Sequence, residues 1–576
     1  MKTKLMAAVA VMAVLTATGA ARADDAADVA ALKAQAATLK KQNEQLEQRL
    51  NKIEQQQAAL PQSAGARSFM AADLPGIKDA IPTCALPPLD GPLTFCGITV
   101  FGTIDAGLGW ASYGLPTNSK FYLGDSLINK NANRSYFGVA PSGLSQSTLG
   151  VKGSYEILPG ISGVFWASTG INPQSGQLAN APGSIVDNNG LNRNAYSNNG
   201  DGSRGGQPFN DQLYVGLSSK TYGQLTFGRH KSLTNDMVGA YDPAGGAYAF
   251  SVIGYSGTPV AGLGDTGNAR WDDSFKYKVE FPVNGGFTGR FGAIYKFADG
   301  NGGCNYLGTG VAPVGTVQQC YSTKNDAGQV GAGFTYAGFD FDAALGYFHQ
   351  AVSFGPLSAA QAFGGVSTFV PTYGPTINSV GANAGTLAGT ISDNTGWALA
   401  GKYTYQNWKF FAGWAHVIYH NPENSVGIGA QGDQGGYILS SVNNAAFPHA
   451  KLLDTFWTGT KYAYNDKTDI VGSFYVEAQN GYGTAANLST CSLPAYLPYG
   501  SFGAKINGTV YGAQSAPRSG ACSGNLYGAS AYVDYHFTKR FDIYGGLMYS
   551  AVTGGIQSGY FSASNWAPTV GARLTF

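Results

Sequence analysis

The stretch YGASAYVDYHFTKRFDIYGGLMYS, residues 527–550, decides how the rest of the chain is read. Tyr527, Ala529, Ala531, Val533, Tyr535 and Phe537 share one face at period two. After the turn Thr538-Lys539-Arg540, Phe541, Ile543, Gly545, Leu547 and Tyr549 return on that same face, which predicts an antiparallel hairpin. The opposite face carries Ser530, Tyr532, Asp534 and His536, then Asp542, Tyr544, Gly546 and Met548, residues polar or small enough to meet water. Alternation alone also suits a soluble sandwich, so the size of the array and its ending must separate the cases. The final strand sets Pro568, Val570, Ala572, Leu574 and Phe576 against Thr569, Gly571, Arg573 and Thr575, and stops on an aromatic carboxy-terminal residue.

Working upstream by alternation and turn signals, strands are expected near 98–110, 147–156, 161–169, 211–219, 223–230, 271–281, 287–297 and 329–336. Others are expected near 339–350, 395–405, 408–420, 453–464, 467–478, 526–537, 541–552 and 567–576, sixteen in all. Their connections alternate between short turns, such as Leu158-Pro159-Gly160 and Asn465-Asp466, and loops of a dozen to more than forty residues. A sandwich has no reason to keep that order, whereas a bacterial barrel does. Composition agrees: the 576-residue chain has 82 Gly, 13% aromatic and only 12% charged residues, against about 25% charged in soluble domains. Yet no stretch after residue 23 approaches the roughly 18 apolar residues of a spanning helix. A barrel reconciles the two, because its apolar residues are spread over every second position of many strands. The fold class expected is an all-β transmembrane barrel of 16 antiparallel strands, with short periplasmic turns and long extracellular loops.

Residues 1–23 read as a secretory signal, with Lys2 and Lys4, an apolar run from Leu5 to Leu15 and the cleavage-like Ala21-Arg22-Ala23. Losing those three cations takes the formal charge from +1 to about −2, so nothing suggests nucleic acid. Residues 24–60 form a separate α-helical element. Leu32, Leu39, Leu46, Ile53 and Leu60 recur every seven residues, with Val29, Ala36, Asn43, Leu50 and Gln57 at the other seam position, a coiled-coil pattern in which Asn43 fixes register at a subunit contact. A lone amphipathic helix would have nothing to bury against, so self-association is expected. Residues 61–97 are a Pro-rich linker and 98–576 the barrel. Cys84 with Cys96, Cys304 with Cys320, and Cys491 with Cys522 are near neighbours in an exported chain, and local disulfides are the simplest connectivity.

The segment Val100-Phe101-Gly102-Thr103-Ile104-Asp105-Ala106-Gly107 resembles the opening strand of Gram-negative general diffusion porins. Thr148 to Ser154, Gln212 to Leu217, Gly223 to Arg229, Arg270 to Tyr277 and the terminal Phe576 are similar to further stretches of the same family. The resemblance covers about residues 98–576 and implies an outer-membrane location, a homotrimer, contact with membrane lipid and lipopolysaccharide, and no cofactor. It also implies that the third long loop, about 231–269, folds into the barrel. Asp236, Asp242 and Asp265 would then line the constriction, and Tyr241-Asp242-Pro243-Ala244-Gly245-Gly246 would bend its tip.

Wall residues follow from the pleat. Lys152, Lys276, Lys278, Arg290, Lys296, Lys402, Lys461 and Arg573 are expected in the lumen, with Asp340, Asp342, Asp454, Asp534 and Asp542. Arg229 shares parity with Leu225 and Phe227 and is expected to face outward at a subunit contact. His416 and His420 share a strand face without a third metal ligand, and Trp397, Trp408, Trp414 and Trp457 read as interface girdle residues or a sugar track. No G-x-S-x-G, H-E-x-x-H or Walker A motif is present, so no enzyme is expected. The reading is a channel for passive diffusion of small hydrophilic solutes. Alternatives are a sugar-selective channel and a barrel that anchors adhesive loops, and a cell-wall contact through the coiled coil is a further expectation.

Overall fold

A computed structural model describes residues 93–576 apart from 96, 117–126, 129–131, 175, 177, 179–207, 255–258, 265–268, 284, 306–318, 355–386, 423–431, 435–436, 440–448, 484–503, 507–508, 512–521 and 558–561. The chain divides into two units, Met1–Ile81 and Pro82–Phe576, and every described residue belongs to the second. The expected signal, the coiled coil with Asn43, most of the linker, and Cys84, Cys96, Asp265 and Cys491 lie outside the described residues.

Sixteen antiparallel strands close into a barrel. They are β1 Ile98–Pro116, β2 in two pieces (Ala132–Pro141 and Thr148–Leu158), β3 Ile161–Gly170, β4 Gln212–Ser219, β5 Gly223–Lys231, β6 Arg270–Val283, β7 Phe287–Asn305 and β8 Gln319–Tyr336. β9 Phe339–Phe354, β10 Leu387–Tyr405, β11 Trp408–Tyr419, β12 Lys451–Asn465, β13 Thr468–Gln479, β14 Gly524–His536, β15 Phe541–Gly554 and β16 Ser564–Thr575 complete it. Each pairs with the next, and β16 returns to β1 with Thr575 opposite Thr103 and Thr569 opposite Gly109. Phe576 takes part in that seam through its backbone: it donates to Gly102 and accepts from it, both at 3.0 Å. Leu93–Phe95, at the end of the expected linker, adds a short antiparallel pairing to the base of β1.

The hairpin at 527–550 shows why the sheet closes this way. Val533 is 42% exposed, Phe537 52% and Ile543 42%, whereas Asp534 is 5%, Tyr544 2% and Met548 1% exposed. Apolar side chains point out and polar ones in, the reverse of a soluble protein and the arrangement a lipid-facing barrel requires. At the end with the short turns, exposed Tyr222, Phe281, Tyr336, Tyr405, Trp408 and Tyr464 form an aromatic belt of the kind that marks a membrane interface.

The second strand departs from expectation. Only its lower part, expected at 147–156, was legible; Ala132–Pro141 continues it upward along β1, and residues 142–147 step out of the sheet between the two pieces. Asp105 on β1 holds this detour. Its carboxylate accepts from the backbone N–H groups of Leu144 (2.8 Å) and Ser145 (2.9 Å) and from the Tyr544 hydroxyl (2.6 Å). Its own N–H donates to Ser147 Oγ at 2.9 Å. The residue is fully buried, so every lone pair must find a protein donor.

Replacing Asp105 by Ala strands these donors and is expected to lower unfolding stability by about 2–4 kcal/mol. Urea titration of the barrel refolded in detergent, following loss of heat-modifiable mobility, checks it; an unchanged midpoint would show that the detour is held by something else.

Candidate pore constriction

The segment between β5 and β6 folds into the barrel. Ser232 caps α1, Leu233–Tyr241, by accepting from Asn235 N–H, a residue type suited to the free donors of a first turn. The short α2, Pro259–Gly262, is tied to the start of α1, because the hydroxyls of Ser232 (2.6 Å) and Thr234 (2.7 Å) both donate to the Ala261 carbonyl. Gln329 on β8 accepts from Leu233 N–H at 2.8 Å. The bend expected at the tip is present: Gly245 (φ 65°) and Gly246 (φ 80°) both adopt left-handed backbone, a conformation costly for residues with a Cβ.

The apolar side of this loop has its own core. Met237, Val238, Tyr241, Ile253, Val260 and Leu263 pack on wall residues of β9–β13, β15 and β16, among them Ala344, Ala400, Val417, Leu453, Trp457 and Tyr475. Phe250 packs on Val471, Tyr532 and Tyr544, and Leu233 on Trp271 and Ile294 of β6 and β7. Three polar contacts pin it: Trp457 Nε1 donates to the Tyr241 carbonyl (3.1 Å), the Tyr475 hydroxyl to Asp242 (2.6 Å), and Ser530 Oγ to the Phe250 carbonyl (2.6 Å). β3, β4 and β5 contribute nothing to these clusters.

The expected acids part company here. Asp236 sits on α1, where Lys276 donates to it at 2.6 Å and Lys278 pairs with the same oxygen. Burial works to raise its carboxyl, but the two ammoniums outweigh that and hold it at about 2. Asp242 is not a lining acid. It is 2% exposed and organises the bend, accepting from the N–H groups of Gly246 (2.8 Å) and Ala244 (3.3 Å), with its carboxyl pushed up by burial. Beside Asp236, Arg290 pairs with Asp340 and with Asp342 (3.1 Å), Lys402 joins Asp340 at 3.1 Å, and the Tyr241 hydroxyl is directed at Asp342 (2.7 Å) or Asp340 (2.9 Å). These groups, except Lys402, line a pocket of about 290 Å³ beneath α1. Arg573 pairs with Asp542 (2.6 Å) and Asp534 (3.3 Å) near the short-turn end. The ligand atoms of Asp534, His536 and Asp542 lie within 4.8 Å of one another, but Arg573 already supplies the counter-charge a cation would bring.

The remaining expected residues fall as follows. Lys152 faces the lumen over the rings of Phe101 (5.4 Å) and Trp166 (5.1 Å). Arg229 does not project from the barrel: it is 6% exposed, donating to the Asn210 carbonyl (2.9 Å) and to Asp272 (2.5 Å). The cause is local, since the register of β5 shifts between Gly228 and His230. Asp454 is opposite in sense to its expected lumen placement; it alternates with buried Leu453 and Thr455 and accepts from Trp414 Nε1 (2.9 Å) beside His416 (2.8 Å) on the outer face. Trp457 is likewise no girdle residue, being 3% exposed under the loop. Cys304 and Cys320 are backbone partners on β7 and β8, and Cys522 is disulfide-bonded.

Sequence reasoning missed a row of rings on the lumen wall. Phe101, Trp166, Tyr214 and His230 follow one another at centroid separations of 4.5, 6.3 and 5.0 Å. Their signal was present as aromatics with inward parity, but attention to charge passed over them.

The profile of a family described as Gram-negative porin matches residues 58–433. An outer membrane porin protein of Bordetella pertussis is 25% identical over 201 residues, covering 35% of this chain and 43% of the relative, so the match spans less than half of that relative's length. Among solved structures, an anion-selective porin from Comamonas acidovorans aligns with 83% of this chain and 99% of its own at 15% identity and a TM-score of 0.43. The outer membrane channel DcaP of Acinetobacter baumannii aligns with 83% and 97% at 10% identity and a TM-score of 0.40.

Trp457→Ala removes a large buried ring and a hydrogen bond from the loop's seat. The loss is expected to cost about 3–5 kcal/mol of loop docking. Hydrogen exchange should then accelerate at the amides of α1 while those of β12 and β13 stay protected; equal protection in both would show that the loop does not depend on this contact.

Proposed function

The chain belongs to the Gram-negative porin family, and from that premise we propose that it forms a water-filled outer-membrane channel for passive diffusion of small hydrophilic solutes and ions. The observation that carries this reading is the loop 232–269 seated on one side of a closed barrel. It narrows the lumen from a seat whose hydrophobic clusters, among the described residues, include none of β3–β5, and it places charged pairs at the narrowing. Such a site needs no catalytic group, because selection rests on width and on the charges that line it. Four cations, Lys276, Lys278, Arg290 and Lys402, face three carboxylates, Asp236, Asp340 and Asp342, which favours weak rather than strong ion preference.

In this reading the short turns lie in the periplasm and the long loops outside. Residues 24–60 project into the periplasm as a coiled coil that adds to trimer contact, and lipopolysaccharide surrounds the outer rim. The same proposal extends to a contact between residues 24–60 and the cell wall. Deleting 24–60 is expected to reduce the oligomer mass that survives mild detergent; unchanged mass would assign assembly to the barrel alone.

Planar-bilayer recording tests the central claim. Stepwise ohmic conductance is expected, and a silent bilayer would favour a barrel that serves only as an anchor. Under a salt gradient, Asp236→Asn should move the reversal potential toward anion preference by releasing two ammoniums. The depressed Asp236 pKa means that its ionised, paired form persists below the ordinary carboxylate range. The difference in reversal potential between wild type and Asp236→Asn should therefore persist from pH 7 to pH 4 and close only as pH falls toward about 2. A difference already lost at pH 4 would contradict the pairing with Lys276 and Lys278.

A further inference from the structure

We propose that the uncovered wall of β1–β5 is a binding track for small aromatic carboxylates on their way through the channel, an inference that rests on the pore reading above. Lys152, Trp166, Tyr214 and Gly228 stand in one register row across β2–β5, and Phe101 of β1 packs against Trp166 at 4.5 Å. Each ring belongs to an inward position, and among the described residues none of β3–β5 joins the hydrophobic clusters of the loop's seat. The rings lie along the wall because glycine gives them room: a Cβ on Gly150 would stand 2.4 Å from the Phe101 ring. Phe101, Trp166 and Tyr214 are each only partly covered. Trp166 and Tyr214 are inclined by 17°, and Tyr214 and His230 by 18°. Trp166 and Tyr214, near-parallel and partly exposed, offer a flat solute its stacking partners, flanked by the tilted ring of Phe101 and the buried ring of His230.

Charge identifies the rest of the ligand. Lys276, Lys278, Arg290, Lys402, Lys461 and Arg573 are each paired with a carboxylate. Lys152 is exposed and has no carboxylate partner among the described residues. Its ammonium rests over two ring faces and is available to an anion that arrives beside them. A sugar would call for a dense fringe of hydroxyl and amide groups, but the next row toward the short turns is Ser154, Val164, Gly216 and Thr226, in which Ser154 offers a single exposed hydroxyl. The Thr226 hydroxyl is already engaged with the Lys276 carbonyl and His230. One flat apolar ring carrying one carboxylate matches what the wall supplies.

The test uses the full chain in planar bilayers, with sodium benzoate as probe and cyclohexanecarboxylate and maltose as comparisons. Benzoate should produce saturable current block or noise at millimolar concentration, about tenfold weaker in Lys152→Gln and in Trp166→Leu, with Trp166→Phe restoring most of it. Cyclohexanecarboxylate should bind several-fold more weakly than benzoate. Ohmic conductance with no benzoate saturation overturns the track and leaves the pore intact. Saturation by maltose but not benzoate overturns the ligand class, as would equal binding of the two carboxylates. A bilayer that never conducts removes the pore and the track together.

Discussion

Every peptide N–H and C=O that meets lipid must find its partner within the protein, because the hydrocarbon offers none. This single requirement organises the molecule. A sheet of sixteen strands with open edges would leave two rows of unpaired groups, so β16 returns to β1 and the terminal residue itself completes the seam with Gly102. Once closed, the pleat sends alternate side chains to lipid and lumen, and the inverted exposure of Val533 and Asp534 follows without further cause. The detour at 142–147 is satisfied in the same spirit, with the N–H groups of Leu144 and Ser145 received by the Asp105 carboxylate and that of Ser147 by Ser142 Oγ.

The lumen shows a second constraint working against the first. Half of its wall is not wet. Ala344, Ala398, Ala400, Ala415 and Val417 face inward yet are buried, because the inturned loop needs an apolar seat as any helix does. Small residues there let α1 approach the strands, while the bulk comes from Trp457, Tyr475 and Met548. The barrel is thus a channel on one side and an ordinary packed core on the other.

That division explains what could be read from the sequence. Fifteen strands and the lower half of the sixteenth were visible, because lipid demands a strict period of two on the outer face. The upper half of β2 was not, since Ala132–Pro141 is joined to its lower half by residues that leave the sheet and break the phase. Parity sends Lys276, Lys278, Arg290 and Lys402 inward, where they meet Asp236, Asp340 and Asp342. Asp454 and Trp457 were placed wrongly, for one reason: polarity was taken to mark the lumen, whereas β12 turns its tryptophan inward under the loop and its aspartate outward toward Trp414. Asp242 was expected to line the constriction and Arg229 to face a neighbouring subunit, and only three-dimensional neighbours such as Tyr475 and Asn210 reveal them as buried joints.

The partners of Asp105 come from opposite ends of the polypeptide: Leu144 and Ser145 lie some forty residues on, whereas Tyr544 lies more than four hundred away. Before the seam joins, that carboxylate can remain hydrated, and the dehydration penalty falls due only when the penultimate strand arrives. Closing so long a span costs loop entropy, which the burial of a carboxylate with satisfied lone pairs alone does not offset; the whole seam between β16 and β1 supplies the offset. The aspartate is therefore fully enclosed only in the closed cylinder, where strands from both ends of the ribbon stand beside it.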